Sequence, residues 1–485
     1  MARLCSEDRL LVEKMVVGYR RSGLLLPEPQ QRRLRDINAL VDHAISAFSI
    51  CVNNSTPQLL FSRLELDGLP DSFFAGRATA DQPGGAVVVT KYVVSLTKCN
   101  VAAILRSAAL ENTRKAVYVA VNTRCPENIQ RLQDTVDLRQ EKARILGYES
   151  HSHLVLEGLA ARSPQRVLHM LNGLHERLKP RAQSELQMLG AMKRSDCESS
   201  GRPYVGFFEW DAAYYMRIAT ERTHQVNSAN VKQYFPVAGT VARMLGLAEQ
   251  LLGLRFVRAE HPNAWHTAVE LYEVWGSSGF LGHCYMDLFS RPGKYTGAAN
   301  IIIRSGFTRP NGTREFPAVA LVTNFAPPPP LSTIDSPSLL SHANVKTLFH
   351  ELGHALHHLC SHTKWSVFHG TNVSRDFLEC PSQLMENLVW EPSVLRKLGK
   401  HHQSGEPIPE NLIGWLVAAR NQYPGIFYLS KVFRATYDIT IYSAPPDTRV
   451  DVRRLLQEME KDVALCNTGG VETISVATVR QFMRG

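Results

Sequence analysis

The stretch TLFHELGHALHHLCSHTKWS, residues 347–366, contains five histidines: His350, His354, His357, His358 and His362. Residues four apart share a face of an α-helix, so His350 and His354 can direct two imidazoles at one cation. Glu351, one step round the helix, can reach a water on that cation without ligating it. This is the HExxH arrangement of two zinc ligands and a general base. The other three histidines are predicted to lie on the helix surface.

The residues before the motif predict a helix. Ser341 is a suitable N-cap. Apolar residues then recur at three- and four-residue steps and form one stripe, which is typical of a helix packed on a core. The stripe consists of Val345, Leu348, Leu352 and Leu356.

A catalytic zinc needs a third protein ligand, which leaves one position open for water. A histidine six residues after the second, with glycine midway, is absent, because Cys360 and His357 occupy those positions. A thiolate from Cys360 is an alternative, although it would approach from the same helix at an unfavourable angle. An acid from the following segment is the better option.

That segment is SRDFLECPSQLMENLVW, residues 374–390, and its acids are Asp376, Glu379 and Glu386. Pro381 favours a helix that begins close by, which places Glu379 at its N-terminal end. We assign Glu379 as the third ligand. Glu386 lies seven residues on, about two turns later on the same face. It is predicted to orient a ligating imidazole; the alternative is a solvent-facing helical acid.

This set of residues predicts the chemistry of a metallopeptidase. Zinc polarises a scissile carbonyl and acidifies its water, and Glu351 takes the proton and passes it to the leaving amine. The predicted strand 316–325 precedes the helix and could pair with an extended peptide by β-augmentation. An ordinary place inside a sheet is equally consistent with the sequence.

The first half of the chain is predicted to be largely helical. Periodic apolar residues indicate helices over 28–51 and 126–147, and a third helix that begins at Ser163-Pro164 and ends at Pro180. A hairpin around Arg291-Pro292-Gly293 is predicted within 279–300. The last stretch, 467–485, has little helical pattern and no evident packing partner.

The quoted histidine stretch, followed by RDFLECPSQLMENLVWE, resembles the thimet oligopeptidase family of zincins, in which an ExPSQ segment follows HExGH at this spacing. Similarity runs from about Asp8 to about Gly470, and the pattern is nearest to the saccharolysin-like branch. Further matching segments are FFEWDAAYYMR (207–217), VKQYFPV (231–237), GFLGHCYMDLFSRPGKYTGAA (279–299) and FPAVALVTNF (316–325).

The resemblance implies a mainly α, two-lobed zincin of the oligopeptidase type, with a small β-sheet beside the HExxH helix. It implies one Zn²⁺ per chain, held by His350, His354 and Glu379, with Glu351 as catalytic base. The expected activity is zinc-dependent hydrolysis of internal peptide bonds in short oligopeptides.

The chain departs from the family pattern at both ends. A His/Tyr segment of the form HLxGYxxxYYxY, which donates hydrogen bonds to the substrate, should begin near Gly470, but no Tyr or His follows Cys466. We therefore expect a truncated chain: an incomplete N-terminal helical region (1–105), a catalytic domain incomplete at its C-terminal end (106–466) and an atypical tail (467–485). The alternative function is a catalytically impaired chain that binds zinc and peptides.

Composition and charge limit the classes of partner and location that we expect for this protein. The 485 residues have a net charge of +9, but no Lys/Arg run exceeds three and no aromatic-basic signature stands out, so nucleic acid is not an expected partner. No stretch approaches the ~18 apolar residues of a membrane helix. Nine cysteines without CxxC spacing fit free thiols. We expect a cytoplasmic monomer, with a mitochondrial pool if the true N-terminus is missing.

Overall fold

The computed structural model describes residues 4–84, 87–224, 228–328, 337–420, 422–445, 448–465 and 467–483. The chain forms two compact units. The sheet unit comprises Met1–Leu11 and His224–Gln422, and the helical unit comprises Val12–Thr223 and Tyr423–Gly485. Both are built mainly of helices with small sheets, which confirms the predicted class.

The helices and strands are the following. The α-helices are α1 (Ser6–Arg21), α2 (Glu28–Asn54), α3 (Lys98–Ser107), α4 (Glu111–Asn122), α5 (Glu127–Ile145), α6 (His151–Leu156), α7 (Pro164–Ser199), α8 (Glu209–His224), α9 (Ser228–Lys232), α10 (Val237–Leu252), α11 (His342–Leu359), α12 (Arg375–Leu378), α13 (Cys380–Leu388), α14 (Pro392–Leu398), α15 (Glu410–Arg420), α16 (Pro424–Tyr442) and α17 (Val452–Asp462). The strands are β1 (Gln58–Phe61), β2 (Thr79–Gly84), β3 (Val87–Ser95), β4 (Arg255–Arg258), β5 (Glu270–Gly276), β6 (Gly279–Phe289), β7 (Ala299–Arg304), β8 (Phe307–Thr308), β9 (Arg314–Glu315) and β10 (Ala318–Phe325).

The main sheet of the sheet unit has the order β4-β5-β6-β10-β7. Strand β10 is parallel to β6 and antiparallel to β7. The predicted hairpin around Arg291-Pro292-Gly293 is therefore wrong, because β10 lies between the two strands that this turn connects. Both edges of β10 are occupied, so the predicted strand 316–325 is an ordinary interior strand and cannot take up a peptide. The two edge strands of this sheet are β4 and β7.

Helix α11 packs on this sheet through its predicted apolar stripe. The side chain of Ser341 accepts a hydrogen bond from the backbone N–H of Asn344, as an N-cap does. All four stripe residues are buried, and they share one hydrophobic core with Leu321 of β10 and Met286 of β6. The motif helix is thus fixed to the centre of the sheet.

Pro180 does not end its helix, contrary to the prediction. Helix α7 continues to Ser199 with Pro180 inside it. Proline cannot donate the backbone hydrogen bond of a helix interior, and α7 nevertheless continues and packs against α16. The carboxylate of Glu185, one turn beyond Pro180, accepts the N–H groups of Gly425 and Ile426 at 3.2 and 3.0 Å, and so caps the N-terminus of α16.

The sequence shows no evident packing partner for the C-terminal stretch, but the structure does. Phe482 and Met483 are buried in a core of the helical unit. Arg139 of α5 donates to the carbonyl of Met483 at 2.8 Å, and Asn128 donates to the carbonyl of Ala477 at 2.8 Å. Short-range periodicity could not show these contacts, because they join residues more than 300 positions apart.

Candidate metal site

Three donor atoms from α11 and the start of α13 converge in the sheet unit. The Nε2 atoms of His350 and His354 lie 3.2 Å apart. The Oε2 atom of Glu379 lies 3.4 Å from the first nitrogen and 3.2 Å from the second. In the described part of the chain, these three residues form the one group of three or more His, Cys, Asp or Glu side chains with this spacing.

The triangle of donor atoms has the size that a tetrahedral zinc site requires. Zinc bonds to imidazole nitrogen and carboxylate oxygen are about 2.0–2.1 Å long, so neighbouring ligand atoms of a tetrahedron lie about 3.3 Å apart. The three measured separations, 3.2, 3.2 and 3.4 Å, match that value. Two histidines and one carboxylate also leave a fourth position for water or substrate. The residues present therefore fit a catalytic zinc ion.

Two local features bring Glu379 to the histidines. Glu379 precedes Pro381, which lies in the first turn of α13, as the sequence predicts. Gly353 of α11 faces the beginning of α13, and a Cβ added there would lie only 2.6 Å from the Cα of Ser382 and 3.0 Å from the carbonyl oxygen of Pro381. The two backbones can approach this closely only because residue 353 has no side chain.

Glu351 is buried beside this group. Burial raises the pKa of its carboxyl, and the negative charge of Glu379 raises the pKa further, whereas His350 and the backbone N–H of Asn300 act in the opposite direction. A higher pKa makes the carboxylate a better proton acceptor near neutral pH. Burial lowers the pKa of His354, which favours the neutral imidazole that a metal requires.

Glu386 contacts the other side of His350. Its Oε1 atom lies 2.7 Å from Nδ1 of His350, and its Oε2 atom lies 3.2 Å from Nζ of Lys346. A neutral imidazole that donates from Nδ1 has its lone pair on Nε2. This contact therefore directs the lone pair of His350 toward His354 and Glu379.

The structure brings together five of the residues singled out from the sequence: His350, Glu351, His354, Glu379 and Glu386. Neither Cys360 nor Asp376 belongs to the group of donor atoms. His357 is half-buried and His362 is exposed. The expectation that His358 is a surface residue is wrong, because it is fully buried and donates from Nε2 to the carbonyl of Arg304 at 3.2 Å.

Sequence reasoning missed Lys346 and Ser382. Lys346 lies one helical turn before His350, on the same face, and this spacing could have indicated it. Ser382 lies three residues after Glu379, and its Oγ atom is 2.9 Å from Oε2 of Glu379. A serine next to a proline at a helix start has too many ordinary explanations for the sequence to single it out.

Comparisons with known proteins identify a peptidase family and several peptidase relatives. The sequence model of peptidase family M3 matches residues 104–474. Saccharolysin of Saccharomyces cerevisiae is 31% identical over 95% of this chain and 65% of its own length. A thimet-like oligopeptidase of Dictyostelium discoideum is 31% identical over 95% of this chain and 69% of its own length. A mitochondrial intermediate peptidase of Arabidopsis thaliana is 33% identical over 74% of this chain and 51% of its own length.

The chain thus spans about half to two thirds of the length of these relatives. Among the described residues, no helix has the length and apolar character needed to cross a bilayer.

Proposed function

Because this chain belongs to peptidase family M3, we propose that it is a zinc-dependent metalloendopeptidase that hydrolyses internal bonds of short oligopeptides. The observation that supports this most strongly is the triangle of His350, His354 and Glu379, whose edges fit a tetrahedral zinc ion, with the buried Glu351 beside it. We further propose the mainly α, two-lobed zincin architecture of the oligopeptidase type.

Each residue has a role that its environment supports. His350, His354 and Glu379 would hold the ion, which when bound polarises the scissile carbonyl and acidifies a water. Glu351 accepts the proton of that water and passes it to the leaving amine, and the burial that raises its pKa suits this task. Glu386 orients the imidazole of His350 through the 2.7 Å hydrogen bond.

Strand β7 offers a place for an extended peptide. In the described part of the chain it pairs with β10 alone, so its other edge is free. The backbone of Asn300 on this strand lies close enough to Glu351 to lower the pKa of its carboxyl. A peptide that paired with β7 by β-augmentation would run beside the proposed base.

A second candidate function is a catalytically impaired chain that binds zinc and short peptides. No Tyr or His follows Cys466 in this sequence, so the tail does not supply the Tyr and His donors that the sequence resemblance leads one to expect there. Loss of one oxyanion donor typically lowers turnover about 10²–10³-fold. We also propose a cytoplasmic monomer; a mitochondrial pool stays a second possibility.

Hydrolysis of a short internally quenched peptide by the zinc-loaded full chain tests the proposal. We expect a wild-type rate that Glu351→Gln lowers at least a hundredfold without loss of zinc binding, because only the proton acceptor is removed. Glu13→Gln, at an exposed position of α1, is the matched control and should leave the rate unchanged. Equal rates for wild type and Glu351→Gln, with zinc bound to both, would favour the second function.

A further inference from the structure

We infer that Ser382 is a positioning residue that holds the Oε2 atom of Glu379 toward the two imidazoles. This inference rests on the proposed zinc site and extends it, because Ser382 contacts the ligand rather than the ion. Ser382 is fully buried, and its hydroxyl lies 2.9 Å from Oε2 of Glu379.

The hydroxyl proton has two acceptors within reach. Besides Oε2, the backbone carbonyl oxygen of Glu379 lies 3.0 Å from Oγ of Ser382. That carbonyl already accepts the N–H of Gln383 at 2.9 Å. A hydrogen bond to an ionised carboxylate is roughly twice as strong as one between neutral groups. The hydroxyl therefore donates to Oε2, the same oxygen that faces His350 and His354.

Glu379 needs such a partner because its side chain is less enclosed than those of the two histidines. It is 48% exposed, whereas the side chains of His350 and His354 are 24% and 12% exposed. A glutamate that is free to change rotamer loses side-chain entropy when it is fixed. A hydrogen bond made before the metal arrives reduces this cost of ordering at the moment of binding.

Ser382 is itself fixed relative to the histidines. The close approach of α13 to α11 occurs at its Cα atom, opposite Gly353, which lies between the two histidines along α11. The hydroxyl is therefore attached to the point where the two helices touch. Through this contact the position of Glu379 is set by the same helix that presents both imidazoles.

Removal of the hydroxyl should weaken zinc binding while the fold stays intact. In Ser382→Ala, the carbonyl of Glu379 keeps its bond from Gln383, and its carboxylate can be solvated, so no buried polar atom loses its last partner. Loss of a residue that orients a ligand typically lowers metal affinity about 10–100-fold. We expect a loss within this range and an unfolding temperature of the metal-free chain close to that of wild type.

A double-mutant cycle on the full chain tests the inference, with zinc affinity measured by competition against a chromophoric chelator. Glu379→Ala alone should weaken binding strongly, and adding Ser382→Ala to it should change the affinity no further, since the hydroxyl acts through that carboxylate. Ser374→Ala is the control, because Ser374 makes no capping hydrogen bond at α12. The visible spectrum of the Co²⁺-loaded chain reports the ligand geometry and should change in Ser382→Ala but not in the control.

The possible failures are distinguishable. An unchanged zinc affinity in Ser382→Ala overturns the inference and leaves the proposed site in place. If Ser382→Ala weakens zinc binding by the same factor with and without the Glu379 carboxylate, the inference is also overturned, because the serine then acts through the structure in general. A wild-type chain that is folded but binds neither zinc nor Co²⁺ contradicts the proposed function, and this inference with it.

Discussion

Substitution of Gly353 by alanine should separate the two helices that form the candidate metal site. The added Cβ would lie 2.6 Å from the Cα of Ser382, and carbon atoms in favourable contact lie about 3.5–4.0 Å apart. The obstacle is backbone, so no side-chain rotation can relieve it. The beginning of α13 must therefore move by roughly 1 Å or more relative to α11.

That displacement has a direct consequence for the donor atoms. Glu379 immediately precedes α13, and its Oε2 atom now lies 3.2 and 3.4 Å from the imidazole nitrogens. A shift of roughly 1 Å would place it beyond the edge of about 3.3 Å that tetrahedral zinc requires. We expect zinc affinity to fall at least tenfold, and the metal-free chain to lose about 1–3 kcal/mol of stability through overpacking.

Zinc affinity by chelator competition and thermal unfolding of the metal-free chain measure these two effects. The matched control is Gly414→Ala, because Gly414 lies within α15 of the same unit and its added Cβ would meet nothing within 4 Å. Alanine should stabilise that helix by up to about 1 kcal/mol. If Gly353→Ala binds zinc as tightly as wild type and unfolds at the same temperature, the helix contact does not fix the site and the reasoning fails.

Two further predictions concern stability. Burial, and next the neighbouring His358, lower the pKa of His369 to about 4. The unfolded chain, with a histidine pKa of about 6.5, therefore binds the proton first as pH falls. The free energy of unfolding should thus decrease on the order of 3 kcal/mol between pH 6.5 and 4 because of this residue, and urea titrations of His369→Gln against pH should lack that decrease. An equal pH dependence in both chains would refute the assignment. Phe482→Ala should lower the free energy of unfolding, measured with denaturant, by about 3–5 kcal/mol, because the ring is buried against Tyr437. The control is Phe427→Ala, at a ring that is 55% exposed. An equal effect of the two substitutions would contradict the packing of the tail.

The parts of the fold that the sequence predicted depend on short-range patterns. The cap at Ser341 and the apolar stripe of α11 involve neighbouring turns of one helix, and so does the start of α13 near Pro381. The predictions that failed depend on distant residues. No turn signal near Arg291 can show that β10 enters the sheet between β6 and β7. Nothing beside Pro180 shows that α7 continues through it and packs against α16.

The residues of the candidate site also fall into those that short-range patterns predict and those that depend on distant contacts. Residues of one motif, His350, Glu351 and His354, were predictable because their helical spacing alone determines which side chains share a face. The division of the chain at residues 105 and 466 stays a prediction, since the two compact units have other boundaries and do not test it.

The groups that contact the proposed ligands could not be predicted in the same way as the proposed ligands themselves. Lys346 and Ser382 contact Glu386 and Glu379, so their importance depends on how α11 packs against α13. That packing is possible because Gly353 lacks a side chain, and glycine in a helix interior is otherwise unfavourable by about 1 kcal/mol relative to alanine. The glycine within HELGH is therefore part of what forms the candidate site, since the third donor atom reaches the two histidines where the backbones of α11 and α13 approach closely.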